Sequence, residues 1–544
     1  LKLPVIGPTK NNVILITERE IEVYRNVVAV SLGCHWDGVS FPHPDNYDTE
    51  TLVDGVNKRF LCKPPAANEA LRGEFNRFVK KWVVKYLTPL DPSADDSLET
   101  WLGGTSYTES RKSELRNCWD QVVSIWEKTI PKGKYFICKS FGKDESYPTF
   151  KHARAINSRS DAFKCAVGPM FHLIEQQVFA LKWFIKKIPI INRPAYIYEN
   201  LYRDGATYFA SDYTAYESMF TAQLMRDCEF ELYDYMTSRH NHHDQFMELC
   251  ERVLAGKNTC KFKNFRVEVD ATRMSGEMNT SLGNGFSNLM FMLFLCKRAG
   301  SKDVSGVVEG DDGLFVCNGP LPTAEDFKLL GLTIKIELHE NLSTASFCGL
   351  VFDELDLLNV SDPIKILAKF GWASNRYAKS NNVKLQTLLR CKSLSLLAQY
   401  PGCPIVQELA LYGLRTTGSV EKFVVAELAK NSVGYWEREM RTLISEKPQP
   451  RIVPIRTRLL CEKLYNITIA QQLEVEKYLS KLTTLQPLKL DCLMHLVPPD
   501  AVTFDSEYST YTYPHSAYLT RPVDKWVRLA SKCNSLKILP TRRP

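Results

Sequence analysis

Two acidic stretches hold the side chains whose types and spacing suggest chemistry. Residues 309–313 read Glu-Gly-Asp-Asp-Gly and lie between the β-prone runs Val307-Val308 and Leu314-Phe315-Val316. That pattern predicts a hairpin with Asp311 and Asp312 at its tip. A tight turn that holds two carboxylates outward suits hard divalent cations such as Mg²⁺. Upstream, Ser211-Asp212-Tyr213-Thr214-Ala215-Tyr216-Glu217 follows the β-prone run Thr207-Tyr208-Phe209-Ala210. Asp212 is expected at a strand end, with Glu217 where the chain turns toward a helix. Two readings of Asp212 stand side by side: an N-capping acid, or a partner of Asp311 on a neighbouring strand. Phosphoryl transfer with two metal ions needs such a pair, because one ion activates the attacking oxygen and the other steadies the leaving group.

Between these stretches lies Ser275-Gly276-Glu277-Met278-Asn279-Thr280-Ser281-Leu282-Gly283-Asn284-Gly285, which leads into the apolar segment Phe286 to Cys296. Met278, Leu282, Phe286, Leu289, Met290 and Leu293 recur at three- and four-residue spacing, the signature of an amphipathic helix whose interior face packs on the acid-bearing strands. The apolar run is too short to span a bilayer. Ser275, Thr280 and Asn284 can hydrogen-bond a ribose, a base or a template backbone, and Gly276, Gly283 and Gly285 permit close backbone approach.

The order Asp212…Glu217, then Ser275-Gly276-x-x-x-Thr280-x-x-x-Asn284, then Gly310-Asp311-Asp312 resembles the palm of viral RNA-dependent RNA polymerases. The wording Ser-Gly-Glu-Met-Asn-Thr-Ser-Leu-Gly-Asn is similar to that of positive-strand RNA viruses of the tombusvirus and nodavirus kind. The resemblance covers the palm and the fingers upstream of it, and leaves the last third of the chain unmatched. It implies an α+β fold shaped as a right hand, with a palm built on an antiparallel sheet and packed helices. Fingers with an N-terminal extension would take residues 1–205, the palm 206–222 and 269–355, a fingers insertion 223–268, and a helix-rich thumb with its tail 356–544. Helices are expected in that last part around Leu385–Leu397 and Ile469–Leu482.

The resemblance also implies roles. Asp212 and Asp311 would hold two Mg²⁺ ions, for which Mn²⁺ is a substitute, with Asp312 as auxiliary acid. Lys335, in Leu329-Leu330-Gly331-Leu332-Thr333-Ile334-Lys335, would be general acid on the leaving pyrophosphate. The segments Ile137–Glu145 and Lys151–Arg159 resemble the family's basic fingers motif. A nucleoside triphosphate brings about four negative charges, which guanidinium groups can hold in bidentate fashion. Arg154, with Lys151, Lys143 and Arg159, would hold that triphosphate. Trp101–Tyr107, including Ser106, resembles a template-entry segment. Phe347-Cys348-Gly349-Leu350-Val351-Phe352 resembles the hairpin that grips the primer strand, with Cys348, Gly349 and Gly276 on the template and primer side. One departure stands out: the family's second acid in the first palm motif is Asp, and here it is Glu217. With Ser275 and Asn284 it is expected to form one hydrogen-bonded unit beside the ribose of the incoming nucleotide.

The implied activity is copying of viral RNA, with RNA template and product and nucleoside triphosphates as partners. Other viral replication proteins, or a membrane-anchored replicase part outside this chain, would join it in the host cytoplasm at membrane-associated replication sites. Two alternatives remain: a reverse transcriptase, which usually has an aromatic residue two places before the acidic pair where this chain has Glu309, and a catalytically silent palm-fold RNA-binding protein.

Whole-chain features set bounds. At 544 residues, with 44% hydrophobic and 24% charged, the chain has room for several subdomains, and the composition excludes global disorder. A net charge of +7 makes any nucleic-acid surface local rather than a uniform field. Lys182–Lys187, Arg451–Arg458 and Lys537–Arg543 are basic stretches, each readable as a solvated face, and Tyr508–Pro514 is aromatic and turn-prone, fit either to stack on bases or to pack on itself. The 16 cysteines show no Cys-x-x-Cys spacing, which argues against a zinc ribbon or a disulfide framework and for reduced thiols in a cytosolic setting. His240-Asn241-His242-His243-Asp244 offers metal-ligand types, and its polar surroundings fit an exposed loop or helix better. No signal peptide, transmembrane span or lipidation motif is visible. A first residue Leu rather than Met suits a processed product or a fragment of a polyprotein.

Overall fold

The computed structural model describes residues 14–16, 26–46, 49–118, 133–263, 265–424, 447–502 and 518–521. The aromatic segment 508–514 and the basic segment 537–543 lie outside the described residues. The strands are β1 (Ile14–Ile16), β2 (Asn26–Ser31), β3 (Ile137–Gly142), β4 (Ala155–Arg159), β5 (Tyr208–Tyr213), β6 (Lys257–Lys261), β7 (Phe265–Asp270), β8 (Lys302–Glu309), β9 (Asp312–Asn318), β10 (Ile334–His339), β11 (Trp372–Ser374) and β12 (Tyr518–Arg521). The helices used below are α1 (Glu69–Tyr86), α2 (Asp161–Val178), α3 (Glu229–Thr237), α4 (Thr280–Ala299), α5 (Asn382–Gln399) and α6 (Ile469–Lys481). Helices and largely antiparallel sheets are mixed, an α+β chain.

The central sheet runs β10-β5-β9-β8, all antiparallel. Strand alternation gives it two apolar faces. Phe209, Tyr213, Val308 and Phe315 point into a large core shared with α1, α2, α3 and α4, while Tyr208, Ala210, Val307, Leu314 and Val316 point into a second core with Leu342 and Phe347. The same parity places Asp212 with Tyr208 and Ala210, and Asp312 with Leu314 and Val316, so both acids belong to the face opposite α4.

Helix α4 is buried on nearly every side from Leu282 to Met292, more than the one-sided burial its spacing predicts, because α1 and α3 cover the side away from the sheet. A helix enclosed in this way can be apolar all round. It ends at Gly300, whose φ of 88° supplies the left-handed cap, after Lys297 and Arg298 in the last turn.

A five-stranded sheet, β1-β7-β6-β3-β4, joins the basic segments β3 and β4 to residues 257–270. A third sheet, β11-β2-β12, ties the N-terminal strand β2 to the C-terminal part of the chain. Val30, Leu32 and Trp36 share a core there with residues of α5 and α6. Among the described residues no helix is long and apolar enough to cross a membrane.

Candidate active site

The acidic hairpin is built by its turn. Glu309 pairs with Asp312, which leaves Gly310 and Asp311 as a two-residue loop. Gly310 has φ +61° and Asp311 is not in the left-handed region, the pattern of a type II′ turn, whose first central position favours glycine. The turn's carbonyls are held from below. Asn288 Nδ2 donates to the Gly310 and Asp311 oxygens at 3.3 and 3.0 Å, and Ser211 Oγ donates to the Asp311 oxygen at 3.3 Å. Tyr213 fixes Asn288 through a 3.1 Å hydrogen bond. Asp311 is thus at the tip, and Asp312 is the first residue of β9.

On the neighbouring strand, Ser211 pairs with Gly313, so Asp212 lies one step beyond the end of the β5–β9 ladder, beside the hairpin. Asp212, Asp311 and Asp312 are all solvent-exposed, and none has an ion pair with Lys or Arg among the described residues. Surrounding protein and the Glu217 charge raise the Asp311 carboxyl above its ordinary value. Loss of solvent, then the Asp311 charge, with smaller contributions from Glu309 and Asp212, pushes the Asp312 carboxyl up to about 6. Loss of solvent leads both shifts, and neighbouring negative charge adds to them.

Oxygen donors from two strands, crowded and uncompensated, fit hard divalent cations. A second titratable cluster, Asp96 with His240 and His242, lies elsewhere, between the loop after α1 and the end of α3. Its imidazoles are engaged: His240 Nε2 with the Ala94 oxygen at 2.9 Å, His240 Nδ1 with the His242 amide at 3.1 Å, and His242 Nδ1 with Asp96 at 2.7 Å.

The cleft wall above the acids comes from the Ser275 loop and the basic hairpin. Ser275 Oγ donates to Glu217 Oε1 at 3.0 Å. Glu217, Ser275, Arg154, Asn157 and Arg59 line one small concavity, so the acid, the hydroxyl and the guanidinium meet in one place. Gly276, exposed and with φ +113°, follows on the rim. Thr280 turns inward, its hydroxyl donating to the Met274 oxygen at 3.2 Å.

Arg154 is half-exposed and paired: Nε and Nη2 reach the two Glu145 oxygens at 2.5 and 3.0 Å. Lys143 also approaches Glu145, at 3.0 Å. Burial works to raise the Glu145 carboxyl, but the hydrogen bonds from Arg154 and Tyr147 and the nearby positive charges outweigh it and hold it at about 2. Lys151 is exposed, its ammonium 6.0 Å from the Tyr147 ring centre.

Two expectations need correction. Arg159 does not face the cleft. Its side chain is buried, with Nη2 2.6 Å from Glu277 Oε1, Nε 2.8 Å from the same oxygen, and Nη1 on Asn258 and the Tyr135 carbonyl. The two-residue period of β4 is the reason: Asn157 and Arg159 are the inward positions, so an arginine that looks like one more phosphate ligand becomes part of the interior. Nor do Glu217, Ser275 and Asn284 form one directly bonded unit. Asn284 Oδ1 accepts instead from Arg273 Nε at 2.9 Å.

The remaining candidates lie around this centre. Lys335 pairs in register with Asp212, is exposed, and donates to Glu337 at 2.9 Å. Phe347 and Leu350 exchange both backbone hydrogen bonds at 3.0 Å, closing a turn whose central residues Cys348 and Gly349 have φ 52° and 76°. The Cys348 thiol reaches Asp312, and burial together with that acid pushes its pKa far up. Ser106 lies in the half-buried loop between the helices Leu98–Gly104 and Glu109–Arg116, and no described contact joins it to the acids.

Asn288, Arg273 and Glu229 went unnoticed in the sequence. An asparagine inside an apolar helix run is a usable signal for Asn288, and an arginine just before Ser275 is one for Arg273. Glu229 carries none.

Residues 226–329 match the family model described as viral RNA dependent RNA polymerase. An RNA-directed RNA polymerase of Panicum mosaic virus (strain United States/Kansas 109S) is 24% identical over 289 residues, 50% of this chain and 27% of that relative. The chain is therefore similar to viral RNA-dependent RNA polymerases, and its match spans about a quarter of the relative's length.

Proposed function

We propose that this chain is an RNA-directed RNA polymerase that copies a viral RNA genome, with its central sheet as palm (206–222 and 269–355), fingers from 1–205 and 223–268, and a thumb from 356–544. The observation that carries the reading is the cluster Asp212, Asp311 and Asp312: three solvent-open acids with no cationic partner among the described residues, beside a concavity lined by Glu217, Ser275 and Arg154. Such a cluster is costly to hold unless a cation completes it.

Two Mg²⁺ or Mn²⁺ ions held by Asp212 and Asp311, with Asp312 beside them, would supply the positive charge for attack of a 3′-hydroxyl on the α-phosphate and for departure of pyrophosphate. The chain's own groups do the rest by positioning and electrostatics. Arg154, with Lys143 and Lys151, draws the triphosphate, exchanging part of its contact with Glu145 for phosphate oxygens. Glu217 and Ser275 face the sugar. Lys335, kept charged by Glu337 and Asp212, stands as proton donor to the leaving pyrophosphate. Gly276, Cys348 and Gly349 border the template and primer, and Ser106 the template's entry. RNA template and product and nucleoside triphosphates are the partners, with other viral replication proteins or a membrane-anchored replicase part at replication sites in the host cytoplasm.

An extension assay on short RNA, primed and unprimed, with ribo- and deoxyribonucleotides supplied separately, tests the reading. RNA product from RNA template with ribonucleotides is expected. Preferential DNA product would make the chain a reverse transcriptase, and RNA binding without any incorporation would make it a silent palm-fold binding protein.

A further inference from the structure

We infer that Arg273 is a positioning residue for sugar recognition: it fixes which end of the Asn284 amide faces the incoming nucleotide, so that Asn284 presents N–H donors to a ribose hydroxyl. The inference rests on the polymerase reading above and adds a residue to its site.

A carboxamide can turn either end to a ligand, but a guanidinium only donates. With Arg273 Nε at 2.9 Å, the end facing Arg273 must be Oδ1, which removes the usual ambiguity in an asparagine's orientation. Asn284 Nδ2 is then the end left over. It has no hydrogen-bond partner among the described residues, and it is not among the side-chain nitrogens shut off from solvent. Asn284 is 8% exposed, so the amide is nearly enclosed with only its donor end open.

Arg273 is itself immobilised. It is fully buried, its Nη2 is 2.7 Å from Glu229 Oε2, and its guanidinium lies 4.4 Å from the Phe220 ring centre. Tyr233 holds the same Glu229 oxygen at 2.7 Å. The backbone takes part as well: Arg273 N–H donates to the Glu217 carbonyl at 3.1 Å, and Tyr216 Oη donates to the Asn284 carbonyl at 3.0 Å. One residue thus holds both sides of the sugar-facing wall, Glu217 through its backbone and Asn284 through its side chain.

Gly283 shows how closely the first turn of α4 is fitted to this pair. A Cβ there would lie 2.2 Å from Glu229 Oε2 and 2.5 Å from Arg273 Nη2. Glycine is therefore the residue that lets α4 start directly on the buried ion pair. A buried ion pair is weak evidence for stability as such, and its best-attested use is to specify geometry. Here the geometry specified is that of Asn284.

The test compares ribo- and deoxyribonucleotide kcat/KM on one template for Arg273→Lys, Asn284→Asp and Asn284→Ala. Arg273→Lys keeps the charge opposite Glu229 and removes the Nε–H donor, so the ribose preference should fall about three- to tenfold, chiefly through KM. Asn284→Asp keeps an acceptor for Arg273 and lacks the donor, so its preference should fall as in Asn284→Ala while the fold, read by circular dichroism, is kept. If Arg273 were only structural, Arg273→Lys would slow both sugars alike and leave their ratio unchanged, and that result overturns the inference. Should Arg273→Lys fail to fold, Asn284→Asp decides alone: an unchanged ratio in that variant overturns the donor assignment. An unchanged ratio in Asn284→Ala would instead defeat the sugar-site reading itself.

Discussion

Asp212 and Asp312 lie on one face of the central sheet and Asp311 at the hairpin tip, all three exposed and with no ion pair among the described residues. Glu229 and Glu277, on the other side of the cleft wall, are buried and matched to Arg273 and Arg159 at 2.7 and 2.6 Å. Both regions concentrate acids, and the chain treats them in opposite ways. The buried acids carry their own counter-charge, as removal from water demands, and they fix where the α4 turn and the β4 strand meet. Loss of solvent, with Glu217 beside Asp311 and Asp311 beside Asp312, raises the carboxyls of Asp311 and Asp312. One cluster is charge-matched within the fold, and the other has no matching cation among the described residues.

The largest expected effect separates the two clusters by metal removal. Excess chelator should reduce nucleotide incorporation to background, and Mg²⁺ or Mn²⁺ should restore it, while the circular dichroism spectrum stays the same. Incorporation that persists in chelator would erase the contrast, since the exposed acids would then need no cation.

Next in size is Glu229→Ala. It removes the nearer of the two acids beside buried Arg273, Glu229 at 2.7 Å, and leaves Glu277 at 4.0 Å, a loss of about 3 kcal/mol, read as a lowered urea midpoint. Stability equal to the parent would mean that the buried pair is dispensable.

Arg154→Ala should raise the KM for nucleotides about tenfold, the size of one charge-assisted contact discounted because Arg154 already serves Glu145. Single-nucleotide kinetics measure it. A lowered RNA affinity with unchanged nucleotide dependence would move Arg154 to the template path.

The smallest effect is a pH-dependent one at Asp312. Its carboxyl is raised from 3.8 to about 6 in the folded chain, so the ionised form is disfavoured by folding. Stability that is present below pH 4 is therefore lost as pH rises through 6. Asp312→Asn should raise the melting temperature by about 1–3 °C at pH 8, and the gain should vanish near pH 4 and shrink when Mg²⁺ is added. An equal gain at both pH values would assign it to packing rather than to charge.

Much of the exposed cluster was legible in the sequence because its signals are local. A Gly-Asp-Asp turn between β-prone runs becomes β8, the turn and β9, and the apolar run after Ser275 becomes α4. The ends of α5 and α6 fall close to Leu385–Leu397 and Ile469–Leu482 for the same reason. The buried cluster was illegible because its partners are distant in the chain: Glu229 lies 44 residues from Arg273, and Arg159 lies 118 from Glu277. Arg159 occupies a buried position of β4 while Arg154, just before the strand, stays half-exposed, and a basic motif read by residue type alone does not reveal it. The sheet β11-β2-β12 was hidden likewise, since its strands come from opposite ends of the chain.

The most direct measurement is single-turnover incorporation of one ribonucleotide by Asp311→Asn, with RNA affinity measured on the same preparation. Removing one ligand of the exposed cluster should lower the rate at least about a hundredfold, with RNA affinity within about twofold, because that affinity rests on phosphate contacts elsewhere. A variant that keeps more than about a tenth of the parent rate would contradict the assignment of the hairpin acids to the chemistry.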